Sequence, residues 1–139
     1  MPKKKTSASV AGAKITQAEW EVMQILWNAD APLSAAEVID RLETKANWNP
    51  KTIRTFLSRL VQKRVVRAVK KSLAGYELLH YIPLIDRTSA LQAKQATFAD
   101  RFFGGTVHSM LAGCIQSGEI SIDELRELRE MIDSKIEEQ

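Results

Sequence analysis

Between residues 44 and 76 the chain carries nine basic side chains and no acidic one: Lys45, Lys51, Arg54, Arg59, Lys63, Arg64, Arg67, Lys70 and Lys71. Ammonium and guanidinium groups gathered without carboxylates suit a polyanion, and duplex DNA is the polyanion whose major groove admits a helix. Arginine pairs bidentately with guanine O6 and N7, and a threonine methyl packs on the thymine methyl. The spacing predicts one amphipathic helix over 49–64 that displays such groups. On it Arg54, Thr52 and Thr55 are the candidates for base contact. Lys51, Ser58, Arg59 and Lys63 are placed for phosphates, which fix register and carry no sequence information. Arg67, Lys70 and Lys71 fall on a following hairpin, where they would meet the DNA backbone or the minor groove.

That helix needs a scaffold, and local signals outline one. Asn49 is a good N-cap and Pro50 suits the first helical position, where its missing N–H costs nothing. Ile53, Phe56, Leu57, Leu60 and Val61 follow the spacing of a buried helix face. Upstream, Thr16 with Glu19 and Ser34 with Glu37 have the capping-box spacing and predict two earlier helices, the second running to about residue 46. The first is apolar around most of its circumference, with Trp20, Val22, Met23, Ile25, Leu26 and Trp27, so it is expected to be buried on several sides. Downstream, 65–71 is β-branched and basic, 72–75 is turn material, and 76–82 reads as a second strand ended by Pro83. Helix, helix, helix, hairpin is the layout of a winged helix-turn-helix.

Three more helices are expected after it. Asp86 caps one that ends at Gly104-Gly105, a second covers 106–116, and Ser121 with Glu124 caps a third. Their apolar stripes are too many for so small a unit to enclose alone. A second copy of the chain is the simplest covering surface, and its two-fold symmetry would match a palindromic DNA site. Leu91, Phe98, Phe102, Met110, Leu111, Leu125, Leu128 and Ile132 are the candidate dimer core. The expected plan is a flexible basic arm (1–14), a winged-helix DNA-binding domain (15–83) and a helical dimerisation domain (84–139). The fold class is mostly α with a small β-hairpin.

Composition narrows the function classes. The 139 residues are 45% apolar, enough for a core, and carry a formal net charge of only +3. Residues 1–83 hold 14 Lys and Arg against 7 Asp and Glu, whereas residues 84–139 hold 6 against 10. A basic working half is therefore joined to an acidic half with another task. Cys114 is the only cysteine, which excludes an internal disulfide and any Cys-based zinc cluster within one chain. His80 and His108 form no recognisable metal set with it, so no metal and no cofactor are expected. The chain has no Ser/His/Asp arrangement and no phosphate-cradling Gly loop, which argues against an enzyme. No apolar run is long enough to span a bilayer, and the N-terminal lysines precede no apolar stretch, so a cytoplasmic protein is expected. The competing reading is a winged-helix adaptor that docks proteins without sequence-specific DNA binding.

The segments Ile15-Thr16-Gln17-Ala18-Glu19-Trp20-Glu21-Val22-Met23, Lys51-Thr52-Ile53-Arg54-Thr55, Phe103-Gly104-Gly105 and Asp123-Glu124-Leu125-Arg126-Glu127-Leu128 resemble the penicillinase-repressor family, the BlaI/MecI-like proteins with a copper-responsive CopY branch. The resemblance covers about residues 14–133. It implies a homodimeric transcriptional repressor that binds a palindromic operator and regulates genes of the β-lactam-resistance or a related stress-response type. It also implies a membrane sensor protease as a partner, through which the repressor is cleaved at an Asn-Phe bond in the fifth helix. Aligned from Gly104-Gly105, that bond falls at Gly113-Cys114, and neither residue matches. The paired Cys motifs of the copper branch are absent.

Overall fold

The computed structural model describes residues 12, 14–43 and 48–139. The chain divides into two compact units, Met1–Lys94 and Gln95–Gln139. The division falls inside a helix, later than the expected boundary after Pro83. The core of the first unit includes Ile85 and Ala90, so the start of that helix belongs to it.

In the first unit, α1 (Gln17–Asn28) begins at a reciprocal cap. The Glu19 N–H donates to Thr16 Oγ1 at 3.1 Å, and the Thr16 N–H donates to Glu19 Oε1 at 2.9 Å. Val22, Met23, Ile25 and Leu26 are buried along it. Trp20 and Trp27 meet edge to face at 5.0 Å, and the Trp27 indole N–H donates to the Ile85 carbonyl. Ser34 and Glu37 form the second expected box at the start of α2 (Ala35–Glu43). The expected continuation of α2 to about residue 46 lies outside the described residues.

Asn49 caps α3 (Pro50–Gln62) by accepting from the Lys51 N–H at 2.9 Å. Ile53, Leu57 and Leu60 are fully buried on its inner side. The helix stops two residues earlier than its apolar pattern predicts, and the cause is geometric. Arg64 takes a left-handed conformation with φ 62°. The Val65 N–H then reaches the Leu60 carbonyl at 3.1 Å and the Arg64 N–H reaches Val61 at 3.0 Å, which is the double bond of a Schellman cap. The buried pair Leu60 and Val65 closes it, and the chain leaves directly into a strand.

The hairpin consists of β2 (Val66–Leu73) and β3 (Tyr76–Pro83), antiparallel, with Leu73 opposite Tyr76. Only Ala74 and Gly75 turn the chain, so the strands run two residues further into the expected turn. Both turn residues have positive φ, 50° and 85°, as a tight hairpin with right-handed strand twist requires. A third strand, β1 (Leu33–Ser34), was not expected. It pairs with β3 through Leu33–Tyr81 and Ser34–His80, giving the sheet order β1-β3-β2.

The segment before α1 is fastened at two consecutive carbonyls. Lys63 donates to the Lys14 carbonyl and Lys94 to that of Ile15. Gly12 is buried, and a Cβ there would come within 2.8 Å of Ile85 Cδ1. Gly12 falls within the arm expected over 1–14. Its lysines at 3–5 lie outside the described residues.

The helix α4 (Arg87–Phe102) begins beside Asp86, which accepts from the Ser89 N–H, and it carries into the second unit. There it stops at Gly104 and Gly105, both at positive φ. Thr106 caps α5 (Val107–Gln116), and Ser121 with Glu124 forms the third expected box at the start of α6 (Ile122–Glu137). Neither α5 nor α6 has a buried residue. Leu111, Cys114 and Ile115 of α5 are exposed in the single chain. Among the described residues no helix is long and apolar enough to cross a membrane.

Candidate nucleic-acid interface

The sequence of α3 sorts itself by helical period. With Ile53, Leu57 and Leu60 buried, Lys51, Thr55, Ser58 and Gln62 line the opposite side, flanked by Thr52 and Arg59 on one edge and Arg54 on the other. All of these side chains are exposed. The Thr55 hydroxyl donates back to the Lys51 carbonyl at 3.0 Å, which leaves its methyl as the free end. That is the end a thymine methyl would meet. The first turn of α3 has no carboxylate, so the positive end of the helix dipole and the cations beside it present one sign of charge.

The hairpin register divides the basic wing. Paired strand residues share a face, and neighbours along a strand alternate. Arg67 and Lys71 stand with Leu78, His80 and Ile82 on one face. Lys70 stands with Leu79 and Tyr81 on the other, the face that carries Leu33 and Val66 into the core. Arg67, Lys70 and Lys71 are all exposed, and they divide between the two faces of the hairpin.

On the core-side face a cleft of about 240 Å³ opens between the helix-turn-helix and the wing. Arg54, the first residues of α2 (Ala35, Ala36), and Glu77, Leu79 and Tyr81 of β3 line it. The structure thus brings Arg54 to the wing rather than only to its neighbours on α3. Glu77 escapes a reading based on charge runs because it lies one residue beyond the acid-free window. Its carboxylate is 4.0 Å from the Lys70 ammonium.

Lys63 takes a different position from the rest. Its ammonium lies 2.5 Å from Glu19 Oε1 and also donates to the Lys14 carbonyl. Its side chain is 26% exposed and that of Glu19 1%. Burial pushes the Glu19 carboxyl up, but the Lys63 ammonium and the Thr16 bonds outweigh it and hold the group below its ordinary value. The expected phosphate anchor is therefore committed inside the fold. Glu37 is also held low, first by the Ser34 backbone bond and more weakly by His80, 3.9 Å away. Among the described residues no group of His, Cys, Asp and Glu could hold a metal ion.

The candidate dimer residues are apolar and largely uncovered. Leu91, Phe98, Phe102, Leu111 and Ile132 are exposed, and Met110, Leu125 and Leu128 half-buried. Phe98 and Phe102 lie 4.8 Å apart and Phe103 joins them at 5.9 Å. Gly113 and Cys114 sit inside α5, Gly113 half-buried beside the Phe103 ring and Cys114 exposed.

Comparison with known proteins gives a consistent set. The family model described as penicillinase repressor matches residues 15–134. The penicillinase repressor of Bacillus licheniformis is 32% identical over 120 residues, covering 86% of this chain and 90% of that protein. The methicillin resistance regulatory protein MecI of Staphylococcus aureus (strain N315) is 29% identical over 122 residues, covering 88% and 95%. A solution structure of the monomeric form of Bacillus licheniformis BlaI in complex with the blaP half-operator aligns at 34% identity and a TM-score of 0.47, covering 55% of this chain and 87% of that one.

Proposed function

The chain belongs to the penicillinase repressor family, and from that premise we propose that it is a homodimeric transcriptional repressor that reads a palindromic operator with α3 in the major groove. The observation that carries this reading is the outer side of α3. It is capped, seated on Ile53, Leu57 and Leu60, and free of carboxylates. Within it Arg54, Thr52 and Thr55 read bases, while Lys51, Ser58 and Arg59 engage phosphates.

The second copy follows from the uncovered apolar stripes of the Gln95–Gln139 unit. Helices with no buried residue of their own need another surface, and a dimer places two copies of α3 about 34 Å apart or a multiple of one helical turn. Inducing cleavage by a membrane sensor protease is not part of the proposal, because the aligned bond here is Gly113-Cys114.

The test is selection from a randomised palindromic duplex pool, followed by titration of the enriched site. Arg54→Ala should weaken binding by ~1–3 kcal/mol and relax preference at one position of each half-site. No enriched site, or an unchanged preference with Arg54→Ala, would overturn base reading by this helix. A stable protein complex without duplex binding at low salt would favour the adaptor reading instead.

A further inference from the structure

Glu77 is the one carboxylate lining the cleft between the helix-turn-helix and the wing, and Arg54 is the one cation lining it. It stands on the inner side of the wing and lines the same cleft of about 240 Å³ as Arg54, and its Oε2 is 4.0 Å from Lys70 Nζ. The side chain is two-thirds exposed, so packing does not require it. We infer that Glu77 is a positioning residue for sequence discrimination, holding Arg54 and Lys70 away from indiscriminate phosphate binding. This rests on the DNA-reading role proposed above.

The basis is electrostatic. Arg54 has two modes of binding a duplex: bidentate on a guanine edge, or as a point charge on any phosphate. Only the first carries sequence information. A carboxylate in the same cleft as the guanidinium lowers the local positive potential and repels a phosphate approaching it. The same carboxylate, 4.0 Å from Lys70, offsets part of the charge that Lys70 offers a phosphate. Both effects weaken binding wherever base recognition does not compensate, which is how a repulsive element raises specificity. Glu77→Gln keeps the size of the side chain and removes the charge.

Each additional phosphate that the protein neutralises steepens the slope of log K against log salt by about 0.9, which near 0.1 M salt is roughly tenfold in affinity. The experiment measures wild type and Glu77→Gln on two duplexes across a salt series. One duplex is the site that the wild type enriches from a random pool; the other is its scrambled counterpart. The variant should bind the scrambled duplex roughly tenfold tighter, with a slope steeper by the equivalent of about one phosphate. It should tighten less on the enriched site, so that the ratio of the two affinities falls. In an Arg54→Ala background the loss of discrimination on adding Glu77→Gln should shrink. Equal tightening on both duplexes, an unchanged salt slope, or weakening confined to the enriched site would each overturn the inference. A wild type that binds no duplex would instead overturn the function itself, and this role with it.

Discussion

Lys63 and Glu19 join the C-cap of α3 to the first turn of α1, 44 residues away in sequence, through an ammonium–carboxylate contact of 2.5 Å. Glu19 already serves the Thr16 cap with the same oxygen. One carboxylate thus ties the start of α1, the end of α3 and, through Lys63, the segment at Lys14.

Lys63→Met should therefore act on stability and not on DNA. Removing one partner of a largely buried pair leaves the other charge uncompensated, at a cost on the order of 3 kcal/mol, somewhat less here because Lys63 is a quarter exposed. For a domain of this size that lowers Tm by roughly 10–20 °C. Arg59→Ala, on the exposed edge of α3, should do the reverse: little change in Tm, and a salt slope of DNA binding reduced by about 0.9. Thermal melts and salt titrations of the two variants separate the roles. A reduced slope for folded Lys63→Met would restore it as a phosphate anchor.

Stability should fall in acid, and Glu19 sets part of the fall. Its folded-state pKa lies below the ordinary 4.5, the Lys63 and Thr16 bonds overcoming the effect of burial. A carboxyl depressed in the folded state contributes stability that is complete above its unfolded value and is lost as pH falls through the folded one. Glu37 is depressed in the same direction by its Ser34 bonds. Urea midpoints should thus be level from pH 7 to about 5 and decline below about 4.5. Glu19→Gln should be less stable at pH 7 and decline less steeply in acid. A variant with the wild-type slope would show that Glu19 does not titrate with unfolding.

Arg64 occupies the position of a Schellman cap where glycine is usual. A side chain in the left-handed region costs ~1–2 kcal/mol, and glycine recovers it less its own extra unfolded-state entropy. Arg64→Gly should consequently stabilise the protein by roughly 0.5–1 kcal/mol, read as a higher urea midpoint at unchanged m. A lower midpoint would mean that the arginine side chain makes a stabilising contact.

The parts legible in the sequence are those fixed by chemistry a few residues apart. Thr16–Glu19, Ser34–Glu37, Asn49–Pro50 and Ser121–Glu124 mark helix starts because each side chain satisfies an N–H within its own first turn. What stayed hidden depends on distant partners. Two residues make β1 a strand only because β3 lies beside them. Lys63 looks like its neighbours on α3 until Glu19 is placed. Glu77 acquires meaning only when the fold brings it to the cleft that Arg54 also lines. The split of Lys70 from Lys71 could have been foreseen, since adjacent strand residues must face opposite ways.

The apolar stripes of the second unit make dimerisation testable. Phe102 is 67% exposed, and its ring packs on Phe98, itself half exposed. If a second copy covers them, Phe102→Glu buries a carboxylate in each half of that interface. Sedimentation should then show the wild type as a dimer and the variant as a monomer at the same micromolar concentration. The first unit keeps its own core, so thermal unfolding of the winged helix should be preserved. On DNA the two effects separate: affinity for a single half-site should be unchanged, whereas affinity for the full palindrome should lose the ~10²–10⁴-fold advantage of binding two linked sites. A wild type that sediments as a monomer, or a variant that remains a dimer, would place the dimer contact elsewhere or remove it.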